Sequence, residues 1–199
     1  YEQIYAQRQV ASTFKPILYA AALENGIKPC NYISNDSLVL SDFDNWTPRN
    51  YDNSFGGKYS VAAALAKSMN VPTVRLFLSL PFEALHSMWS KLGFSQQLET
   101  NPSVALGTSS ASIYELASAY AAFANGGKKI HPYSVMSIKT ADGTKIYEHK
   151  SAQKREAVMS EYTSTLMGAM LRKAVREGTG TAISTQFGVS KEIAGKTGT

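Results

Sequence analysis

Residues 8–26 read Arg-Gln-Val-Ala-Ser-Thr-Phe-Lys-Pro-Ile-Leu-Tyr-Ala-Ala-Ala-Leu-Glu-Asn-Gly, and this stretch decides the fold. From 13 to 25 it is apolar and Ala-rich, as in a helix buried in a core. Pro16 falls in the first turn, where a missing N–H is tolerated, and Gly26 supplies the stop. Ser12 and Lys15 stand three positions apart at the start of that helix and share a face, so the amine can reach the hydroxyl. A serine is a weak nucleophile until a base takes its proton. A lysine serves as that base only where desolvation or nearby positive charge lowers its pKa. Phe14, Ile17, Leu18 and the neighbouring alanines provide a dry setting. Taken alone, the same spacing also fits an N-cap serine beside an exposed lysine.

Outward from this helix, residues 29–59 are rich in Asn, Asp, Ser, Pro and Gly with scattered aromatics, and are expected to form a long ordered loop. Long loops in compact domains usually carry function. Ser60 reads as the N-cap of a helix over 61–67, and a second helix restarts at Val71 with Pro72 in its first turn. Ser68-Met69-Asn70 therefore falls in the break between them. Further helices are expected over 81–92, 112–125 and 159–176, with a hairpin over 133–148 turning at Asp142-Gly143. Ile193–Thr199 reads as a strand. Tyr114, Tyr120 and Phe123 recur at helical spacing and are assigned to the core.

Two more segments have chemical content. In Ser68-x-Asn70 a hydroxyl and an amide on one tight turn can face a single cleft, although Ser and Asn favour turns anyway. In Lys196-Thr197-Gly198-Thr199, period-two alternation puts both threonine hydroxyls on one face, suited to a substrate carboxylate. Gly198 allows a close backbone approach. The same alternation sends Lys196 to the opposite face, so its side chain must curl round the strand edge to join them.

Composition narrows the function. With 199 residues, 44% of them hydrophobic, the chain can bury one core and is expected to be a single domain over 1–199. The formal charge of +5 would suit an anionic partner. Its basic residues are spread out, however, with no aromatic-basic interleaving, so nucleic-acid binding is not expected. Cys30 is alone, which rules out a disulfide framework within the chain. His86, His131 and His149 lack ligand spacing, so neither a metal nor another cofactor is expected. No segment approaches the roughly 18 apolar residues of a bilayer span.

Each of the three motifs is weak alone. Together, in this order and on these elements, they match the signature Ser-x-x-Lys, Ser-x-Asn, Lys-Thr-Gly of penicillin-binding proteins and serine β-lactamases. Beyond the motifs, the chain resembles the transpeptidase domain of bifunctional (class A) penicillin-binding proteins over nearly its whole length. The resemblance runs through Arg8-Gln-Val-Ala-Ser-Thr-Phe-Lys-Pro, Pro48-Arg-Asn-Tyr-Asp-Asn and Ala64-Leu-Ala-Lys-Ser-Met-Asn-Val-Pro. It continues through Ala105-Leu-Gly-Thr, Glu115-Leu-Ala-Ser-Ala-Tyr-Ala-Ala-Phe-Ala-Asn-Gly-Gly and Ala194-Gly-Lys-Thr-Gly-Thr.

The resemblance implies an α+β, β-lactamase/transpeptidase-like fold: a mostly helical subdomain plus part of an antiparallel sheet, truncated at both ends. It implies an extracytoplasmic envelope enzyme that cross-links peptidoglycan stem peptides and is acylated by β-lactam antibiotics. A glycosyltransferase domain and a membrane anchor would lie outside this chain. Ser12 would be the nucleophile and Lys15 its base. Ser68 would pass a proton to the leaving amine, helped by Lys196, and Asn70 would hold the donor amide. Thr197, Gly198 and Thr199 would receive the terminal carboxylate, and the backbone N–H groups of Ser12 and Thr199 would form the oxyanion hole. Trp46 and Tyr51, in the long loop, are candidates to line the cleft. Ala11 stands where relatives often have Gly, a departure taken as harmless. The family's sheet takes strands from both sides of these motifs. The chain is therefore expected either to pair an exposed strand edge with another copy or to be poorly active. The rival readings are a β-lactamase and a non-catalytic β-lactam sensor. The first would need a deacylating carboxylate, and the nearest candidate, Glu99-Thr-Asn-Pro, does not fit the class A pattern.

Overall fold

The computed structural model describes residues 2–150 and 156–198. In chain order the helices are α1 (Glu2–Tyr5), α2 (Lys15–Glu24), α3 (Val61–Ala66), α4 (Asn70–Leu78), α5 (Phe82–Leu92), α6 (Ile113–Ala124), α7 (Glu161–Glu177) and α8 (Ala182–Thr185). Among the described residues three antiparallel strand pairs accompany them: β1 (Arg8–Gln9) with β4 (Ser110–Ala111), β2 (Tyr32–Ser34) with β3 (Lys58–Ser60), and β5 (Ser137–Lys139) with β6 (Lys145–Glu148). The architecture is α+β, mostly helical, as expected.

The Ala-rich helix α2 is the axis of the molecule. Every residue from Lys15 to Leu23 is buried, and α3, α4, α5 and α7 pack around it. Small side chains at Ala20, Ala21 and Ala22 let these neighbours approach closely. Phe14 meets Trp89 of α5 at 5.6 Å between ring centroids, and Trp89 stacks on Phe94 at 3.7 Å. Capping fixes where the surrounding helices begin. Ser60 accepts from Ala63 N, and Ser112 and Glu115 form a reciprocal capping box. The start of α7 is tied to the end of α2, because Ser160 donates to Glu24 through both its N–H and its hydroxyl. Among the described residues no helix is long and apolar enough to cross a membrane.

The segment 29–59 is mostly irregular, as expected, but its two ends pair through β2 and β3. Ile193–Thr199 departs from expectation. Residues 193–198 form no strand, and Thr199 lies outside the described residues. The physical reason is that among the described residues they meet no extended neighbour: Gly195 N donates to Leu171 O of α7 at 3.3 Å, across to a helix. The strand edge on which self-association was expected is therefore not formed by the described residues. The β5–β6 hairpin does form at Asp142-Gly143, with every one of its strand residues exposed.

One close approach sets the position of Ser12. Ala11 N donates to Gly107 O at 2.9 Å and Val10 N to Ser109 O at 3.0 Å, holding the chain before the helix against the 102–110 segment. Gly107 has φ +84°, and a Cβ there would stand 1.9 Å from Ala11 O. Gly107→Ala is expected to cost roughly 2–4 kcal/mol in urea unfolding. An unchanged midpoint would mean that this backbone contact does not hold the helix start.

Candidate active site

Ser12 sits in a 3-10 turn, Ala11–Phe14, that runs directly into α2. The turn is fastened from both sides: the Thr13 hydroxyl donates to Val10 O, and the Tyr120 hydroxyl donates to Thr13 O at 2.9 Å. Ala11 takes φ +48°, left-handed backbone that costs an L residue about 1–2 kcal/mol. The Gly-to-Ala departure at this position therefore carries strain and is not neutral. Among the described residues the Ser12 hydroxyl and the Ser12 N–H have no hydrogen-bond partner, so both are free to meet a ligand.

Lys15 is fully buried. Its Nζ lies 2.7 Å from Ser68 O, 2.7 Å from Asn70 Oδ1, 3.3 Å from Met69 O and 3.4 Å from Ser68 Oγ. The sequence places Lys15 against Ser12, whereas in the structure its bonds run to the α3–α4 break. Burial, and secondarily the positive charge of Lys196, lower its pKa to about 7. A neutral amine has two N–H bonds and one lone pair. The two shortest contacts use both N–H bonds, which leaves the lone pair available to accept a proton.

Ser68 is placed by a left-handed turn of its own, with φ +55°, at the end of α3. Met69 follows as the N-cap of α4 and offers no side-chain cap. A residue from the long loop supplies it instead. Asn50 is buried, and its Oδ1 accepts from Asn70 N at 2.8 Å and Val71 N at 3.1 Å. Its Nδ2 donates to Asn35 Oδ1 at 2.7 Å and Ser54 O at 2.7 Å, so all four capacities of the amide are used. Asn70 in turn donates from Nδ2 to Arg49 O at 2.8 Å. With Oδ1 bound to Lys15, Asn70 has one N–H left for a ligand.

Lys196 reaches the same place from the far end of the chain. Its Nζ lies 2.8 Å from Ser68 Oγ, 3.0 Å from Thr197 O and 3.3 Å from Thr197 Oγ1, and burial lowers its pKa to about 8. Because 193–198 is not held flat in a sheet, the lysine folds back over its own neighbour and shares the threonine's side. Ser68 Oγ thus lies between two amines of lowered pKa.

These groups open onto a cleft of about 670 Å³ lined by Ser12, Ser68, Asn70 and Thr197, with Asn50, Tyr51, Tyr59, Lys67 and Thr179 among the others. Tyr51 is on the wall and almost fully exposed. Trp46 is not: it packs half-buried against the core, opposite Leu40. Gly198 lies against Thr13, where an added Cβ would stand 3.2 Å from the Thr13 methyl. Thr199 lies outside the described residues. Asn50 and Thr179 were not singled out from sequence. Asn50 falls in the quoted Pro48-Arg-Asn-Tyr-Asp-Asn stretch, which was a signal, whereas Thr179 lies just past the helix expected over 159–176 and in none of the motifs.

The penicillin-binding protein transpeptidase domain model matches residues 3–199. Penicillin-binding protein 1A of Pseudomonas aeruginosa is 38% identical over 149 residues, covering 73% of this chain and 18% of its own length. The solved penicillin-binding protein 1A of Haemophilus influenzae superposes with a TM-score of 0.92 at 23% identity, covering 100% of this chain and 36% of that one. A penicillin G acyl-enzyme complex of penicillin-binding protein A from Mycobacterium tuberculosis superposes with a TM-score of 0.79 at 24% identity, covering 88% and 45%. The chain thus spans less than a fifth of its Pseudomonas relative and under half of either solved chain. With a fixed serine, two lysines of lowered pKa and a family model that matches almost end to end, the chain belongs to the penicillin-binding protein transpeptidase domain family.

Proposed function

We propose that this cleft performs serine acyl transfer on peptidoglycan stem peptides ending in acyl-D-alanyl-D-alanine, and that residues 1–199 are part of one D,D-transpeptidase domain. The observation that carries this reading is the convergence of Lys15 and Lys196 on the Ser68 hydroxyl, beside a Ser12 hydroxyl that has no partner among the described residues.

In the first step neutral Lys15 accepts the Ser12 proton as Ser12 Oγ attacks the penultimate alanine carbonyl. The Ser12 N–H donates to the developing oxyanion, and Thr199 N–H is assigned the second donor by the family pattern. Collapse breaks the C–N bond. The leaving amine takes the Ser68 proton, which the Lys15 ammonium replaces, so the net transfer is of one proton from Ser12 to the departing D-alanine. Lys196 holds the Ser68 oxygen and stabilises it while it is deprotonated. The remaining N–H of Asn70 holds the donor peptide, and the Thr197 hydroxyl receives the terminal carboxylate. In the second step an acceptor amine attacks the acyl-serine by the reverse route and restores the Ser12 hydroxyl.

A β-lactam follows the first step only. Its leaving nitrogen stays tethered to the acyl group, so the adduct persists, in keeping with the acyl-enzyme formed by the Mycobacterium tuberculosis protein of similar fold. Glu99, the candidate deacylating base of a β-lactamase, is exposed, accepts from Asn101 Nδ2 and is absent from the cleft lining. The setting proposed for the whole protein is the outer side of the cytoplasmic membrane, reached through an anchor outside this chain.

Incubation with benzylpenicillin is expected to add the mass of one penicillin, and Ser12→Ala should abolish the adduct. Destruction of the drug without an adduct would instead indicate a hydrolase. The acylation rate should rise with pH through an apparent pKa near 7, because only the neutral Lys15 amine accepts the proton. Lys196→Met removes a neighbouring positive charge, which favours the Lys15 ammonium, so the rising limb should move to higher pH. An unmoved limb would remove Lys15 from the role of base.

A further inference from the structure

The Thr179 hydroxyl has no part in the scheme above, yet it lies in the cleft 2.7 Å from Thr197 Oγ1. It is brought there by a close backbone approach. Thr179 N donates to Ala66 O at 3.1 Å, which ties the end of α7 to the last turn of α3, just before Ser68. A Cβ at Gly178 would stand 2.1 Å from that same carbonyl, so only glycine lets the two helix ends meet. Thr179 is therefore fixed to the same backbone that places Ser68.

A hydroxyl has one proton and two lone pairs. Thr197 Oγ1 accepts from Lys196 Nζ at 3.3 Å. When Thr179 donates to it as well, both lone pairs are occupied and the Thr197 proton is left to point away from both donors, into the open cleft. In that arrangement, one of the two directions the 2.7 Å contact allows, the pair presents one oriented O–H, and both lone pairs of Thr197 Oγ1 are satisfied by protein. An incoming carboxylate meets a donor with no competing partner and no freedom to turn its oxygen outward, which would repel it.

From this geometry we propose that Thr179 is a positioning residue for carboxylate recognition, directing the Thr197 hydroxyl proton toward the terminal carboxylate of the donor peptide. The proposal rests on the acyl-transfer reading of the cleft. It assigns the Gly178-Thr179-Gly180 turn a ligand-directed role beyond ending α7.

The test compares acylation of the protein by benzylpenicillin and by benzylpenicillin methyl ester, in which the carboxylate is masked. In Thr179→Val, which keeps the shape and loses the hydroxyl, the ratio of second-order acylation rates, free acid over ester, should fall about tenfold, the scale of one hydrogen bond to a charged group. Thr179→Ser should restore most of the ratio. An equal loss for both ligands in Thr179→Val would mean that the residue only packs the turn and would overturn the proposal, as would an unchanged ratio. Failure of the unsubstituted protein to form a Ser12 adduct with either ligand would overturn the acyl-transfer reading, and this inference with it.

Discussion

A lysine amine buried at the start of a helix is the constraint on which the rest of the site depends. Removing an ammonium from water is costly, and the group responds by losing its proton more readily and by taking every acceptor within reach. The acceptors Lys15 finds are Ser68 O, Met69 O and Asn70 Oδ1, all on the break between α3 and α4. That break must therefore stay where it is. Asn50 holds it by capping α4 from outside, Asn35 holds Asn50, and Thr73 donates to the Met69 carbonyl while sharing a hydrogen bond with the buried Tyr19 hydroxyl. The long loop is consequently ordered by the same network that keeps the base dry.

This arrangement separates two properties that a catalytic lysine needs. Apolar neighbours around α2 depress the basicity of the amine, whereas the backbone carbonyls fix its direction. Lys196 adds a second positive charge close to Ser68, and the two amines share that hydroxyl as their common contact. Ala11, next to Ser12, and Ser68, which carries the shared hydroxyl, both take left-handed backbone. Strain of this kind persists where surrounding structure over-determines it, and here the Gly107 contact and the Asn50 cap provide that constraint.

Much of this was legible in the sequence because it depends on short spacing. Ser12 and Lys15 lie three positions apart at one helix start, Ser68 and Asn70 share a turn, and the cap at Ser60 and the stop at Gly26 are local signals with local outcomes. The failures have a common cause in tertiary partners. A strand is a property of two segments, and 193–198 finds a helix where a strand was expected. Lys15 was aimed at Ser12 by helix geometry, but the carbonyls that capture it lie more than fifty positions away. Trp46 and Tyr51 looked alike as loop aromatics, and only packing against Leu40 separates the core residue from the wall residue. Thr179 could not be found from spacing, because its partner is eighteen positions away and its place is set by a glycine whose neighbour belongs to another helix.

The β5–β6 hairpin stands apart from this network. All of its strand residues are exposed, including Ile138 and Ile146, and Tyr133 stacks on His149 at its base. Two strands with neither face covered are marginal in water by themselves. The hairpin should therefore open and close as a separate unit, its amides exchanging hydrogen through fluctuations much smaller than global unfolding, while those of α2 wait for the whole core to come apart. Two clocks run in one chain, and the slow one belongs to the helix that begins at the nucleophile.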